Sequence, residues 1–266
     1  MDLLQALILG LVEGITEYLP VSSTGHLLIA QRLLGIEASA AANGYVIAIQ
    51  AGAIVAVLGT YRQRVGVMLQ GLVGRDKAGL QLAICIVAAF LPAAILGVLF
   101  DDRIEQYLFG VKPVIAAWVV GGVVILALSR WVQARREGLD LTQLTWRAAV
   151  LIGMAQSLAM WPGTSRSLVT ILAGLAVGLS LAAAVEFAFL LGVLTLTAAT
   201  AYAVMKSGGS MLTAYGWPAL ITGFLAAWIS AALAVKWMVA WLNRHGLTLF
   251  AWWRFASAAL AAWLLL

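Results

Sequence analysis

A 266-residue chain that is 64% hydrophobic and only 10% charged, with a mean hydropathy of +1.01, carries far more apolar sequence than a soluble core can bury. Composition therefore points to an integral membrane protein. The net charge of +5 is small beside this, and the basic residues fall in short loops rather than in aromatic-interleaved clusters, which excludes a nucleic-acid binder.

In chain order, the first apolar run is interrupted by two carboxylates, a run of hydroxyls and a histidine: Glu13-Gly-Ile-Thr-Glu17-Tyr-Leu-Pro20-Val-Ser22-Ser23-Thr24-Gly-His26. Ionisable groups at membrane depth cost at least about 2.5 kcal/mol each, so they mark a functional site. The spacing predicts a helix over about 3 to 19, a break at Pro20, and a second helix over about 24 to 35 that begins near Gly25 with Ser22 or Ser23 as its cap. Each half is too short to cross a hydrocarbon core of about 30 Å, so the pair reads as a re-entrant hairpin. Asp2 stands where a leader would be basic, and no removable signal is expected.

Spans are predicted at about 45 to 61, 80 to 100 and 113 to 131. The loop after the first holds Arg62, Arg64, Arg75 and Lys77 against Asp76, and the loop after the third holds Arg130, Arg135, Arg136 and Arg147 against Glu137 and Asp140. Between them, Asp101, Asp102 and Glu105 outweigh Arg103 and Lys112. The alternation assigns the two basic loops to the cytoplasm. Cys85 lies in an apolar run and has no second cysteine to pair with.

From Trp146 the pattern starts again. Gly153-Met-Ala-Gln156 leads to Pro162-Gly163-Thr164-Ser165-Arg166-Ser167 as Gly10-Leu-Val-Glu13 leads to Pro20 and its hydroxyls, and Pro92-Ala-Ala-Ile-Leu-Gly97 is echoed by Pro218-Ala-Leu-Ile-Thr-Gly223. The chain thus reads as one membrane domain, 1–266, of two copies of one unit, about 1–135 and 146–266. A hairpin plus three spans is an odd number of crossings, so the second copy must be inverted. Its spans fall at about 183 to 205, 217 to 236 and 248 to 266, with Lys236 and Arg244 in a basic loop. The expected fold is all-α: two re-entrant helix hairpins whose tips meet near the midplane, plus about six transmembrane helices. Trp131, Trp217, Trp237 and Trp241 read as interface anchors.

Glu13 and Glu17 lie on one face of the first half-helix, where two like charges favour a shared proton or a bound divalent cation. His26, one turn past Ser23 and beside Ser22, suits acid/base or nucleophilic work. Arg166 is the only basic residue between Arg147 and Lys206, and it starts a helix among Gly163, Thr164, Ser165 and Ser167. Chemically that is a phosphate clamp. Gln156 and Met160 stand at roughly the places of Glu13 and Glu17, so acids come from one tip and the cation from the other. Glu186 reads as a helix-terminus or catalytic group, and Gln50 as a bridge between helices.

On these residues the chain resembles the undecaprenyl-diphosphate phosphatase family, the bacitracin-resistance type of integral membrane phosphatase. Glu13-Gly-x-Thr-Glu17-x-Leu-Pro-Val-Ser22-Ser23-Thr24-Gly-His26 is similar to that family's first signature, and Pro162-Gly-Thr-Ser165-Arg166-Ser167 to its second, with Leu168-Val169 where the family usually has Gly and a small residue. The resemblance implies removal of the terminal phosphate from a C55 polyprenyl diphosphate in the bacterial inner membrane. It also implies a divalent cation, Mg²⁺ or Ca²⁺, and a site open to the outer face. Glu17, Ser23, His26 and Arg166 would be its catalytic core; Ser22, Thr24, Gly163, Thr164, Ser165 and Ser167 would bind substrate; Glu13 and Glu17 would hold metal. Ser23 and His26 are both open as nucleophile. The alternative is a polyprenyl-phosphate flippase or transporter using the same inverted-repeat site. The partners expected are the polyprenyl diphosphate lipid and the bilayer, with a homodimer allowed.

Overall fold

Asp2 opens the first helix, α1 (Leu3–Thr16), with a capping box: its carboxylate accepts from the Gln5 amide, and its own N–H donates to the Gln5 side chain at 2.9 Å. At 14 residues, α1 is about 21 Å long, short of a hydrocarbon core of about 30 Å. Pro20 cannot continue it. The chain turns through Glu17 to Val21 and restarts as α2 (Ser23–Leu33). The Gln5 side chain donates to the Leu34 carbonyl at 3.0 Å, so α2 ends beside the start of α1.

The second broken pair is built the same way. Thr145 caps α7 (Trp146–Gln156), a 3₁₀ turn and Pro162 interrupt it, and α8 (Arg166–Ala176) follows. Leu139, ahead of this pair, donates its N–H to the Gly178 carbonyl (2.8 Å) and accepts from the Ser180 N–H (3.0 Å) behind it, closing its open end.

Between the pairs run α3 (Ala40–Thr60), capped by Ser39, α4 (Arg62–Leu72), α5 (Lys77–Leu108), capped by Asp76, and α6 (Val111–Ala134). After them come α9 (Leu181–His245) and α10 (Thr248–Leu265). Gly216, at φ 71°, with Pro218 behind it, breaks α9 into two helices in series. Six segments are long and apolar enough to cross a membrane among the described residues: Ala40–Thr60, Lys77–Phe100, Val111–Ala134, Leu181–Lys206, Gly208–Leu242 and Thr248–Leu265. The protein is a multi-pass, all-helical membrane protein, with no strand among the described residues.

This computed structural model describes residues 1–135 and 137–266; Arg136 and the side chains of Asp101, Asp102, Arg103, Glu105, Ser207 and Asn243 lie outside the description. The loop charges assigned to Arg136 and to the four charged residues between 101 and 105 therefore fall outside it.

Four expectations shift. α2 begins at Ser23 rather than near Gly25. The first basic loop contains α4, because residues 62–72 hold no proline and are mostly good helix formers. α5 continues to Leu108, since charges end an apolar run without ending a helix and no Gly or Pro occurs between Gly97 and Gly110. Lys236 sits within α9, which runs on to His245, rather than in a loop.

Small residues let the broken helices pack tightly. A Cβ added at Gly10 or Gly14 of α1 would strike the backbone of Gly223 or Ala227 in the second half of α9, and one at Gly153 of α7 would strike Ala89 of α5. Each broken pair therefore packs on a helix from the other half of the chain.

Candidate active site

The two tips share an unusual backbone. Ser22 (φ 73°, ψ 101°) and Ser165 (φ 75°, ψ 109°) are the only non-glycine residues at positive φ among those described, and each immediately precedes a helix. Such a conformation costs about 1 to 3 kcal/mol and persists where surroundings hold it. Those surroundings are visible. The Ser165 hydroxyl accepts from the Leu168 amide at 3.3 Å and pairs with the Ser167 hydroxyl at 3.0 Å. Ser22 makes no side-chain cap; its carbonyl instead accepts from His26 Nδ1 at 2.7 Å.

Across these tips Glu17, Ser23 and Arg166 meet. Arg166, the first residue of α8, donates from Nη2 to Glu17 Oε1 at 3.0 Å, a pair 149 residues apart in sequence. The other oxygen of Glu17 accepts the Ser23 hydroxyl. Arg166 also donates from Nη1 to the Ala188 carbonyl at 3.1 Å, lies 5.6 Å from the Tyr18 ring centre, and is backed by Gly192, where any side chain would occupy the guanidinium's space. Its Nε has no partner. Ser167 fastens the tips to each other by donating to the Leu19 carbonyl at 2.9 Å.

Glu13, one turn before Glu17, is fully buried and neither carboxylate oxygen finds a partner. Gln156 is likewise buried with both side-chain polar atoms unpaired. Buried polar groups are rarely left so. Thr24 and Thr164 are half-buried beside the tips, and Gly163, at φ 98°, packs its α-carbon against Val114 and Ala117 of α6.

His26 has a defined tautomer. The Trp253 indole N–H donates to Nε2 at 3.0 Å, and an indole nitrogen can only donate, so Nε2 is the acceptor and the proton sits on Nδ1, donated to the Ser22 carbonyl. The Ser257 hydroxyl is 3.3 Å from the same Nε2. The ring lies 4.7 Å from that of Trp118, whose N–H donates to the Val21 carbonyl at 2.9 Å.

Sequence reasoning passed over Arg254. Fully buried in α10, it donates to the carbonyls of Pro20 (3.1 Å), Gly163 (2.8 Å) and Thr164 (3.3 Å) at the tips, and to Ala117 (2.9 Å) and Trp118 (3.2 Å) of α6. One guanidinium thus ties both breaks to one helix. The signal was available, since Arg254 is an ionisable residue inside the last apolar span. Glu186 stands apart from this cluster, in a two-bond pair with Arg64 (2.7 and 3.4 Å) that also holds the Arg64 guanidinium above its ordinary pKa. Gln50 does not act as the expected bridge through its carbonyl oxygen, which is unpaired.

The family model described as bacitracin resistance protein BacA matches residues 6–260. A relative from Sorangium cellulosum, named undecaprenyl-diphosphatase, is 43% identical over 97% of this chain and 85% of its own length. One from Methylococcus capsulatus with the same name is 44% identical over 96% and 92%. Relatives from Rhodospirillum rubrum and Nitrosomonas europaea, named undecaprenyl-diphosphatase 2 and undecaprenyl-diphosphatase, are each 44% identical over at least 95% of the chain. With a match over nearly its whole length, and with both sequence signatures brought to one place, the chain belongs to the bacitracin resistance protein BacA family.

Proposed function

We infer that this protein is an undecaprenyl-diphosphatase, a membrane hydrolase that removes the terminal phosphate of undecaprenyl diphosphate and returns the monophosphate carrier to cell-wall synthesis. The observation that carries the site is the meeting of Arg166, Glu17 and Ser23 from two broken helices. A cation, a carboxylate and a hydroxyl in one buried spot exceed what anion binding alone requires.

In this reading the diphosphate lies between the tips. Arg166, with Nε and part of its fork to give, and the free amides at the starts of α2 and α8 hold its oxygens, since helix N-termini favour anions. The Ser23 oxygen attacks the terminal phosphorus, its proton passes to Glu17, and the bond from phosphorus to the bridging oxygen breaks to release prenyl monophosphate. Water then hydrolyses the phosphoserine to free phosphate. Arg166 stabilises the charge that builds on the transferring group. The His26 lone pair is engaged by Trp253, which supports Ser23 as nucleophile and His26 as the group that holds the Ser22 carbonyl.

The donor set also suits a hard divalent cation. The unpaired oxygens of Glu13 and the neighbouring Glu17 carboxylate would hold Mg²⁺ or Ca²⁺, with substrate oxygens filling the remaining positions, as Mg²⁺ sites commonly do. When bound, such an ion neutralises diphosphate charge.

The same reading makes the two helix pairs re-entrant hairpins of an inverted repeat in one membrane domain. Ser22 and Ser165 each follow their glycine, Gly10 or Gly153, by twelve residues and carry the same strain. A bond from the Gln31 side chain to the Ala42 carbonyl (3.2 Å) ties the first pair's open end to the start of α3, whereas Arg64 and Glu186 tie the second pair's end to the far side. The basic loops lie with the second pair, so the first opens to the outer face of the bacterial inner membrane.

Phosphate release from a prenyl diphosphate by detergent-purified protein tests this. Arg166→Ala is expected to lower the rate by about 10²- to 10³-fold. Undiminished activity in that variant would remove the clamp, and absence of release by the wild type would leave the flippase as the better reading.

A further inference from the structure

An apolar groove of about 500 Å³ opens beside the first tip. Leu11 and Ile15 of α1 form one wall, Leu233 and Trp237 of α9 another, and Leu19 and Val21 its inner end. Trp253 of α10 closes it. Val21 is adjacent to Ser22 and Ser23, so the groove begins where the reacting groups end. Trp253 belongs to both places: its ring lines the groove, half-exposed, while its N–H holds His26 Nε2 at 3.0 Å.

Resting on the phosphatase reading above, we propose that this groove seats the isoprene units next to the diphosphate, and that Trp253 is a positioning residue through which an occupied groove orders the site. A chain lying against Leu233 and Trp237 packs on the exposed face of the Trp253 indole and pins it. The pinned N–H fixes the His26 ring, the His26 Nδ1 proton holds the Ser22 carbonyl, and the strained Ser22 backbone sets where Ser23 stands. Without that chain the groove holds only lipid tails, which are not tethered to a diphosphate at the tip, and this succession loosens. Because lipid tails are as apolar as any prenyl chain, occupying the groove contributes little net hydrophobic energy. Its effect falls on turnover, through placement, where a misplacement of about 1 Å costs as much as 10²-fold. A substrate is thereby recognised by its tail although the chemistry occurs at its head.

The test compares farnesyl diphosphate with isopentenyl diphosphate, one long enough to fill the groove and one too short, in wild type, Trp253→Phe and Leu233→Trp. The wild type is expected to turn over the farnesyl substrate with a kcat about tenfold higher. Trp253→Phe keeps an aromatic ring, smaller than the indole, and drops the N–H. It should bring the farnesyl kcat down towards the isopentenyl value while the farnesyl KM stays within about twofold. Leu233→Trp, at an exposed position, fills the groove and should collapse the same ratio; Ile15→Trp does so from the opposite wall should Leu233→Trp not fold. A wild-type ratio near one, a ratio unmoved by both kinds of variant, or an equal fall on both substrates in Trp253→Phe would each overturn the coupling. Release of phosphate from neither substrate by the wild type would instead overturn the phosphatase reading itself.

Discussion

Arg254 donates to five backbone carbonyls and to no carboxylate, so its removal strands acceptors on both tips and on α6 at once. Side-chain hydrogen bonds within membrane proteins average about 0.6 kcal/mol, which for this set predicts that Arg254→Met destabilises the protein by about 3 kcal/mol. Arg254→Lys keeps the charge but loses the planar fork, and it should recover only part of that because one ammonium cannot reach both tips. Denaturant unfolding in micelles measures both, and a methionine variant as stable as wild type would show that the tips hold each other unaided. At this scale much was legible: Glu13, Glu17, His26 and Arg166 stand out because each is costly in an apolar run. Arg254 obeys the same rule but belongs to no motif. The partnership of Trp253 with His26 depends on a fold that places residues 227 apart in contact, and no local pattern carries that.

Among elements, α1 is held against α9 by close packing at glycine. A methyl group at Gly14 would meet the Ala227 carbonyl, the Ala231 amide and the Ser230 hydroxyl of α9, mostly rigid backbone. Gly14→Ala should therefore push α1 away from α9 at a cost of about 1 to 3 kcal/mol. Since Glu17 ends the same helix, it should also pull the carboxylate off Arg166 and lower activity. Gly59→Ala, where an added methyl meets nothing within 4 Å, is the matched control and should be neutral or slightly stabilising. Thermal melting with phosphate release reads both, and equal behaviour of the two variants would mean the α1–α9 contact tolerates displacement. The breaks at Pro20 and Pro162 were legible because proline lacks the amide a helix needs. Helix ends were not: α5 and α9 run past the limits of their apolar stretches, since a helix stops at a breaker and hydropathy only marks where lipid stops.

For the whole molecule, neither short helix pair can exist in lipid alone, because its turn exposes backbone groups that hydrocarbon cannot satisfy. The two pairs meet those needs together: Ser167 reaches the Leu19 carbonyl, and Arg254 reaches Pro20, Gly163 and Thr164. They also bring the positive ends of α2 and α8, each worth about half a charge, to one place where an anion can sit. The opposed entry proposed for the two pairs has a direct consequence for which loops face the cell exterior. Glu37 follows the open end of the first pair and Glu137 precedes the second, and both are exposed. In a Cys85→Ala background, a membrane-impermeant maleimide added to intact cells should label Glu37→Cys and should reach Glu137→Cys only after permeabilisation. Labelling of both from one side would make the two copies parallel. Both pairs would then enter from one face, which would overturn the inverted repeat proposed for the chain.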